Sequence, residues 1–269
     1  MLTVAIQGVR GAFHEIAANN YFDQKIKLLY CDTFPGVFSA LHDGQADAGV
    51  LAIGNSTFGD IGKVYEILVD NHLDKKSKLK YWITGEVYIN VEQCLLGVPG
   101  TSLETIKEVH SQAPALGQCF NFLSNKLSKA LEIEHDDTAR SAQLVSEWQD
   151  ISKAAIASRQ AAAQYGLDVI VSGVQDHKLN VTRFVVVETV QNQRRGTTKT
   201  SLLLKTGHQP GSLAKALVLF SDFDINLSYL QSVPIAGKPF QYRFYIDMEA
   251  GVNEPRVKKA LKVLELTGY

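Results

Sequence analysis

Leu2-Thr3-Val4-Ala5-Ile6-Gln7, then Gly8-Val9-Arg10-Gly11-Ala12, then the run Phe13–Phe22 open the chain, and they decide its fold class. The first segment predicts a buried strand, the second a glycine turn, the third a helix. The same rhythm recurs outward. Ile26–Cys31 is a strand, Thr33 caps a helix carrying Val37, Phe38 and Leu41, Ala48–Ile53 is a strand, and a helix follows around Lys63–Val69. Strand, loop and helix in alternation predict an α/β protein with right-handed crossovers and a mostly parallel sheet.

A second group follows: strands at Thr84–Val91, Ile106–His110 and Ala154–Ala157, helices at Ala113–Leu123, Ala139–Trp148 and Arg159–Tyr165, with Gly166 closing the last. Arg183–Thr189 is a Val-rich strand. Asp74-Lys75-Lys76-Ser77-Lys78 fits either a crossover between lobes or a solvated loop. The expected organisation is a two-lobed domain over 1–190, its second lobe near 78–175, with a ligand cleft at the strand carboxyl ends. Gln191–Gly196 is polar and reads as a linker. Beyond it, Thr200–Lys205, Ser212–Phe220, Asn226–Ser232, Tyr242–Met248 and Arg256–Leu264 give strand–helix–strand–strand–helix. That is the ferredoxin-like order without its last strand, over 197–269.

Composition narrows the classes. The 269 residues are 45% hydrophobic and carry 27 Lys and Arg against 28 Asp and Glu, a net charge of −1. That balance argues against a nucleic-acid binder. No apolar run is long enough to span a bilayer, and the first residues do not resemble a secretory signal. Cys31, Cys94 and Cys119 fit no zinc or disulfide spacing, so a reduced cytoplasm, with no disulfide framework and no structural metal, is expected. The seven histidines show no ligand spacing and are expected mostly at the surface.

Four motifs can carry chemistry. Gly8-Val9-Arg10-Gly11-Ala12 either offers helix amides to an anion or is a tight turn alone. Gly54-Asn55-Ser56, closing a buried strand, can bond a ligand or form a loop. Ser111 and Gln118 lie two helical turns apart, though Ser111 is equally suited to cap a helix. Asn180-Val181-Thr182-Arg183-Phe184 enters a strand whose alternation sets Thr182 and Phe184 on one side and Arg183 on the other. There Arg183 is either a carboxylate clamp or a solvated surface residue.

Together these segments resemble prephenate dehydratase over essentially the whole chain. The resemblance rests on Gly11-Ala12-Phe13-His14-Glu15, Asn55-Ser56, Thr84-Gly85-Glu86, Ser111 with Gln118-Cys119, and above all the Thr182-Arg183-Phe184 core. Pro210-Gly211-Ser212-Leu213 and Ile225-Asn226-Leu227-Ser228 look like an attached ACT regulatory module. The resemblance implies a periplasmic-binding-protein-like catalytic domain that converts prephenate to phenylpyruvate without a cofactor, in a homodimer or homotetramer. It implies catalytic roles for Thr182, Ser111, Gln118 and Asn55, and substrate contacts from Ser56, Arg183, Gly11, Ala12 and Phe184. It also implies L-phenylalanine at the module, near Gly211, Ser212, Leu213, Asn226, Leu227, Gln231 and Ser232. The chain departs from the family pattern at Gly54, where the family has Glu, at Gln112-Ala113-Pro114, and at Gln231-Ser232-Val233-Pro234 in place of Glu-Ser-Arg-Pro. The alternatives are a non-catalytic protein that binds an aromatic acid, or an enzyme that uses arogenate.

Overall fold

In chain order the first lobe holds β1 (Thr3–Gln7), α1 (Phe13–Tyr21), β2 (Lys27–Cys31), α2 (Phe34–His42), β3 (Ala48–Asn55), the short β4 (Gly59–Asp60), α3 (Val64–Leu73) and β5 (Trp82–Asn90). The second holds β6 (Cys94–Gly97), β7 (Glu108–Ser111), α4 (Ala113–Gln118), α5 (Phe120–Lys126), β8 (Leu131–Glu134), α6 (Thr138–Trp148), β9 (Lys153–Ala157), α7 (Arg159–Tyr165) and β10 (Asp168–Val171). The chain then returns as β11 (Val181–Glu188) to the first lobe. These elements come from a computed structural model that describes residues 1–61, 64–74, 76–190, 197–235 and 237–268. The linker expected at Gln191–Gly196 lies outside the described residues.

The first sheet runs β2-β1-β3-β11-β5, with β4 beside β3. It is mixed where a mostly parallel sheet was expected: β1 pairs in parallel with β2 and β3, but β11 runs antiparallel to β3 and β5. β5 therefore belongs to the first lobe, and the second begins near residue 92, not 78. The crossovers are 91–93 and 172–180, not the lysine-rich 74–78. They are tied together by Val91 N–H to the Asn180 carbonyl (2.6 Å), Val174 N–H to the Gln93 carbonyl (2.9 Å) and Gln93 N–H to Gln175 Oε1 (3.0 Å). The second sheet runs β10-β6-β9-β7-β8. Its strands β6, β8 and β10 have four residues each, too short for their alternation to mark them in the sequence.

Each lobe fills its core from both strands and helices. Ile6, Val50, Phe184 and Val186 meet Ala17 and Ala18 of α1. Leu96, Ala155 and Ala157 meet Ala139, Ala142 and Val145 of α6, and Ala161 and Ala162 of α7. Burying each large apolar side chain is worth about 1.5–3 kcal/mol. Thr33 accepts the Gly36 N–H at 3.2 Å and Gly166 closes α7 at φ 64°, as the sequence predicts. The helix expected over Ala113–Leu123 breaks into α4 and α5 at Cys119 (φ −111°, ψ 17°).

The contacts divide the chain into two compact units: Met1–Ile67 with Lys76–Val190, and Leu68–Lys75 with Gln191–Tyr269. The second therefore takes Leu68–Lys75 in addition to the expected C-terminal stretch. It contains β12 (Thr200–Lys205), α8 (Ser212–Asp222), β13 (Leu227–Pro234), β14 (Tyr242–Met248) and α9 (Pro255–Leu266). Its antiparallel sheet has the order β12-β14-β13, and Leu204, Ile246 and Met248 pack against Ala216, Phe220, Val257 and Ala260 of the helices. Among the described residues no helix is long and apolar enough to cross a membrane.

Candidate active site

β3 outruns its neighbour: β1 pairs with it only as far as Val50. The Ala52 N–H beyond that point is accepted by His14 Nε2 at 3.2 Å. His14, in the first turn of α1, is buried edge-on against Phe184 (5.1 Å between centroids), and burial lowers its pKa to about 4. The ring is thus neutral, with its proton on Nδ1. His14 and His110 are buried, whereas His42, His72, His177 and His208 are exposed, so the histidines lie mostly at the surface, as expected.

At the end of β3, Asn55 faces Thr182 across the ladder. Asn55 Oδ1 accepts the Thr57 and Phe58 N–H groups at 2.9 Å each, which fixes the orientation of its amide. Asn55 Nδ2 then donates to Thr182 Oγ1 (2.9 Å) and to Asn180 Oδ1 (2.7 Å). Asn180 Nδ2 donates to Gln118 Oε1 at 2.9 Å, and Gln118 Nε2 reaches Asn55 Oδ1 at 3.4 Å and Thr57 Oγ1 at 3.3 Å. Three of the four expected catalytic residues, Asn55, Gln118 and Thr182, therefore meet, and they join the two lobes. Thr57 and Asn180 complete the cluster. Asn180 stood in the quoted motif without an assigned role; Thr57, two residues after Asn55, carried no signal.

The fourth, Ser111, ends β7 wholly buried, and its hydroxyl donates to the Ile156 carbonyl at 2.6 Å. It is neither a helix cap, a position held by Gln112, nor hydrogen-bonded to the cluster. Ser56 clips the end of β3 to the start of β11: its hydroxyl accepts the Val181 N–H (2.9 Å) and donates to the Leu179 carbonyl (3.3 Å).

Arg183, Phe184, Gly11 and Ala12 sit differently from the expected substrate contacts. Arg183 pairs across the ladder with Gly54, on the side of β11 away from Thr182, and its Nε lies 2.7 Å from Glu86 Oε2. Alternation along the strand sends it there. Phe184 is 1% exposed beneath α1, part of the core. The Gly11 N–H is taken by Glu15 Oε2 (2.7 Å), and its carbonyl by Ser158 Oγ (2.8 Å). Gly11 has φ +82°, and a Cβ there would sit 2.8 Å from Ala161 Cα. Ala12 is 2% exposed within the second lobe's core. The turn 8–12 thus docks the lobes together: Ser158 and Tyr165 of the second lobe bond the Gly11 and Arg10 carbonyls, the Gly11 and Ala12 N–H groups are taken within the turn and α1, and the glycine admits a helix. Beside it, burial lifts the Asp137 carboxyl above the usual range, against the pull of the Arg140 and Ala139 N–H groups.

A side chain at Gly54 would meet only the Gly59 carbonyl, at 3.9 Å, and would share a side with Arg183, not with Thr182. In the second unit, Gly211 forms the left-handed N-cap of α8 (φ 78°), followed by Ser212 and by Leu213 at the core margin. Asn226 Nδ2 donates to Glu249 Oε2 (2.6 Å), and Leu227 packs on the core. Gln231 Oε1 accepts from the Tyr229 hydroxyl at 3.0 Å, and Ser232 is exposed on β13. No group of three or more His, Cys, Asp and Glu among the described residues is placed to hold a metal ion.

The prephenate dehydratase family model matches residues 4–192. An Arabidopsis thaliana protein, arogenate dehydratase/prephenate dehydratase 1, chloroplastic, is 36% identical over 97% of this chain and 68% of its own length. The bifunctional chorismate mutase/prephenate dehydratase of Neisseria gonorrhoeae is 32% identical over 98% and 70%. Among solved structures, prephenate dehydratase from Arthrobacter aurescens in complex with L-Phe superposes with a TM-score of 0.86 at 25% identity, covering 98% of this chain and 86% of that one. A protein described as GqqA, a novel type of quorum quenching acylase, gives 0.85 at 29%, covering 98% and 93%.

Proposed function

The chain belongs to the prephenate dehydratase family, and from that premise we propose that the cluster around Thr182 carries the decarboxylating dehydration of prephenate to phenylpyruvate. This is a carbon–oxygen lyase reaction of phenylalanine biosynthesis. Electrons from the breaking bond to the ring carboxylate flow into the ring and expel the ring hydroxyl. That oxygen takes up a proton, so carbon dioxide and water leave while the ring becomes aromatic. No electrons enter or leave overall, and the chemistry calls for positioning and a donor at the departing oxygen.

The observation that carries the proposal is the state of the Thr182 hydroxyl. Its oxygen accepts from Asn55, and no acceptor for its proton is found among the described residues. The side chain is 6% exposed, which shields a bond formed there from water. Asn55 thus turns the Thr182 proton away from itself and leaves it to meet the developing charge on the leaving oxygen. Thr182 serves as a donor and not as a net acid; the proton on the departing water comes from solvent. Gln118, carried by the second lobe, completes the cluster when the cleft is closed.

The test is phenylpyruvate formation from prephenate by the parent and by Thr182→Val, with arogenate run in parallel because plant relatives carry both names. Turnover by the parent with loss in the variant supports the proposal; a parent no faster than the uncatalysed reaction overturns it. We also propose that the C-terminal unit is an ACT-type module taking L-phenylalanine, that the enzyme is a dimer or tetramer, and that it works in the cytoplasm. The L-Phe complex of the A. aurescens relative supports the ligand.

A further inference from the structure

Three carboxamides at the junction of the lobes close a head-to-tail ring. Asn55 Nδ2 donates to Asn180 Oδ1 (2.7 Å), Asn180 Nδ2 to Gln118 Oε1 (2.9 Å), and Gln118 Nε2 to Asn55 Oδ1 (3.4 Å). The direction of the ring is not arbitrary. The Thr57 and Phe58 N–H groups pin Asn55 Oδ1, so the NH2 of Asn55 must face Asn180 and Thr182. Asn180 must then present its oxygen to Asn55 and its nitrogen to Gln118. Bonds that run one way around a ring polarise one another in the same sense.

We propose that Asn180 is a positioning residue for the dehydration. It makes no bond to Thr182 itself. It is 1% exposed, and its backbone carbonyl is held by the Val91 N–H at 2.6 Å, so it stands on the crossover and not on a mobile side chain. From there it sets two amides at once: Asn55, whose donor fixes the Thr182 hydroxyl, and Gln118, which arrives on the other lobe. Asn180 therefore links the second lobe's Gln118 to the direction in which Thr182 offers its proton. This rests on the role given above to Thr182.

Asn180→Asp tests it. The new side chain keeps the acceptor for Asn55 but, ionised, has no donor for Gln118 Oε1. At neutral pH kcat should fall about 10–100-fold with KM changed by less than about threefold. As the introduced carboxyl gains a proton at lower pH it regains a donor, so kcat relative to the parent should rise toward acid. The partners of Asn180 are uncharged amides and a hydroxyl; Asp176, whose N–H bonds the Gln118 carbonyl, is present in both proteins and cancels in the ratio. Gln118→Glu, which keeps the acceptor for Asn180 and loses the donor to Asn55, serves should Asn180→Asp fail to fold, and its ratio should also rise toward acid. A flat ratio, or kcat within about twofold of the parent, overturns the positioning role while an inactive Thr182→Val still upholds the proposed reaction. A parent without turnover overturns both.

Discussion

Thr182→Val removes one oxygen from a nearly isosteric side chain, and its consequences follow from the bonds around it. Asn55 Nδ2 keeps Asn180 Oδ1 at 2.7 Å but loses its acceptor at 2.9 Å, which leaves one of its two N–H groups unpaired. A buried donor left unsatisfied costs about 1–3 kcal/mol, and burying a methyl in place of the hydroxyl returns about 0.8 kcal/mol. Stability should therefore fall by at most about 2 kcal/mol, a drop of several degrees in Tm. The effect on rate is of another size. A preorganised donor aimed at developing charge is worth about 3–4 kcal/mol, so kcat should fall about 10²–10³-fold. Thr182→Ser keeps the hydroxyl and forfeits one buried methyl, so it should stay within about tenfold of the parent. Phenylpyruvate formation at saturating prephenate, with thermal melts on the same preparations, reads both quantities. A valine variant that turns over within about threefold of the parent would refute the donor role.

Arg183→Met should cost about 1–3 kcal/mol in urea unfolding by breaking the 2.7 Å pair with Glu86, yet leave KM for prephenate within about threefold, because the guanidinium lies away from Thr182. A large rise in KM would restore Arg183 as a substrate clamp. Gly54→Glu has room for its side chain and lands beside Arg183, so turnover should change less than about tenfold; a larger gain would mean that the missing acid handles protons. The pKa of His14 is about 4 when folded, against 6.5 unfolded, so below pH 6.5 the unfolded chain binds the extra proton. Stability should decline as pH falls from 6.5 toward 4, by about 3 kcal/mol in all, and His14→Gln should flatten that decline in urea titrations. Gly11→Ala forces a side chain at φ +82° against Ala161 and should cost about 2–4 kcal/mol, seen as a lowered Tm.

The α/β class and most helices were legible because strand–turn–helix alternation repeats with clear caps at Thr33 and Gly166. The lobe boundary was not. Thr84–Val91 and Arg183–Thr189 read as strands of a second group, but pairing is non-local, and nothing in either segment says that the two pair with each other and that the latter joins β3. At the site, Asn55, Gln118 and Thr182 were found as polar residues at strand and helix ends. For Arg183, alternation names its side of the strand without saying which side faces the cleft. For Gly11 both readings stay open in the sequence, because a glycine that frees a helix amide for an anion and one that admits a neighbouring helix look alike. Thr57 was missed because its part depends on the backbone turn that Asn55 caps.

The loop at residues 8–12 has a consequence for how the protein is made. Val9 and Ala12 belong to the same cluster as Leu96, Ala142, Ala157 and Leu167. A piece of the first lobe thus finishes the interior of the second, and synthesis must reach about residue 167 before Val9 and Ala12 gain all their neighbours. Until then these two residues lack their final packing, and such long-range closure folds slowly. An excised second lobe would carry an unfilled hollow where that loop belongs.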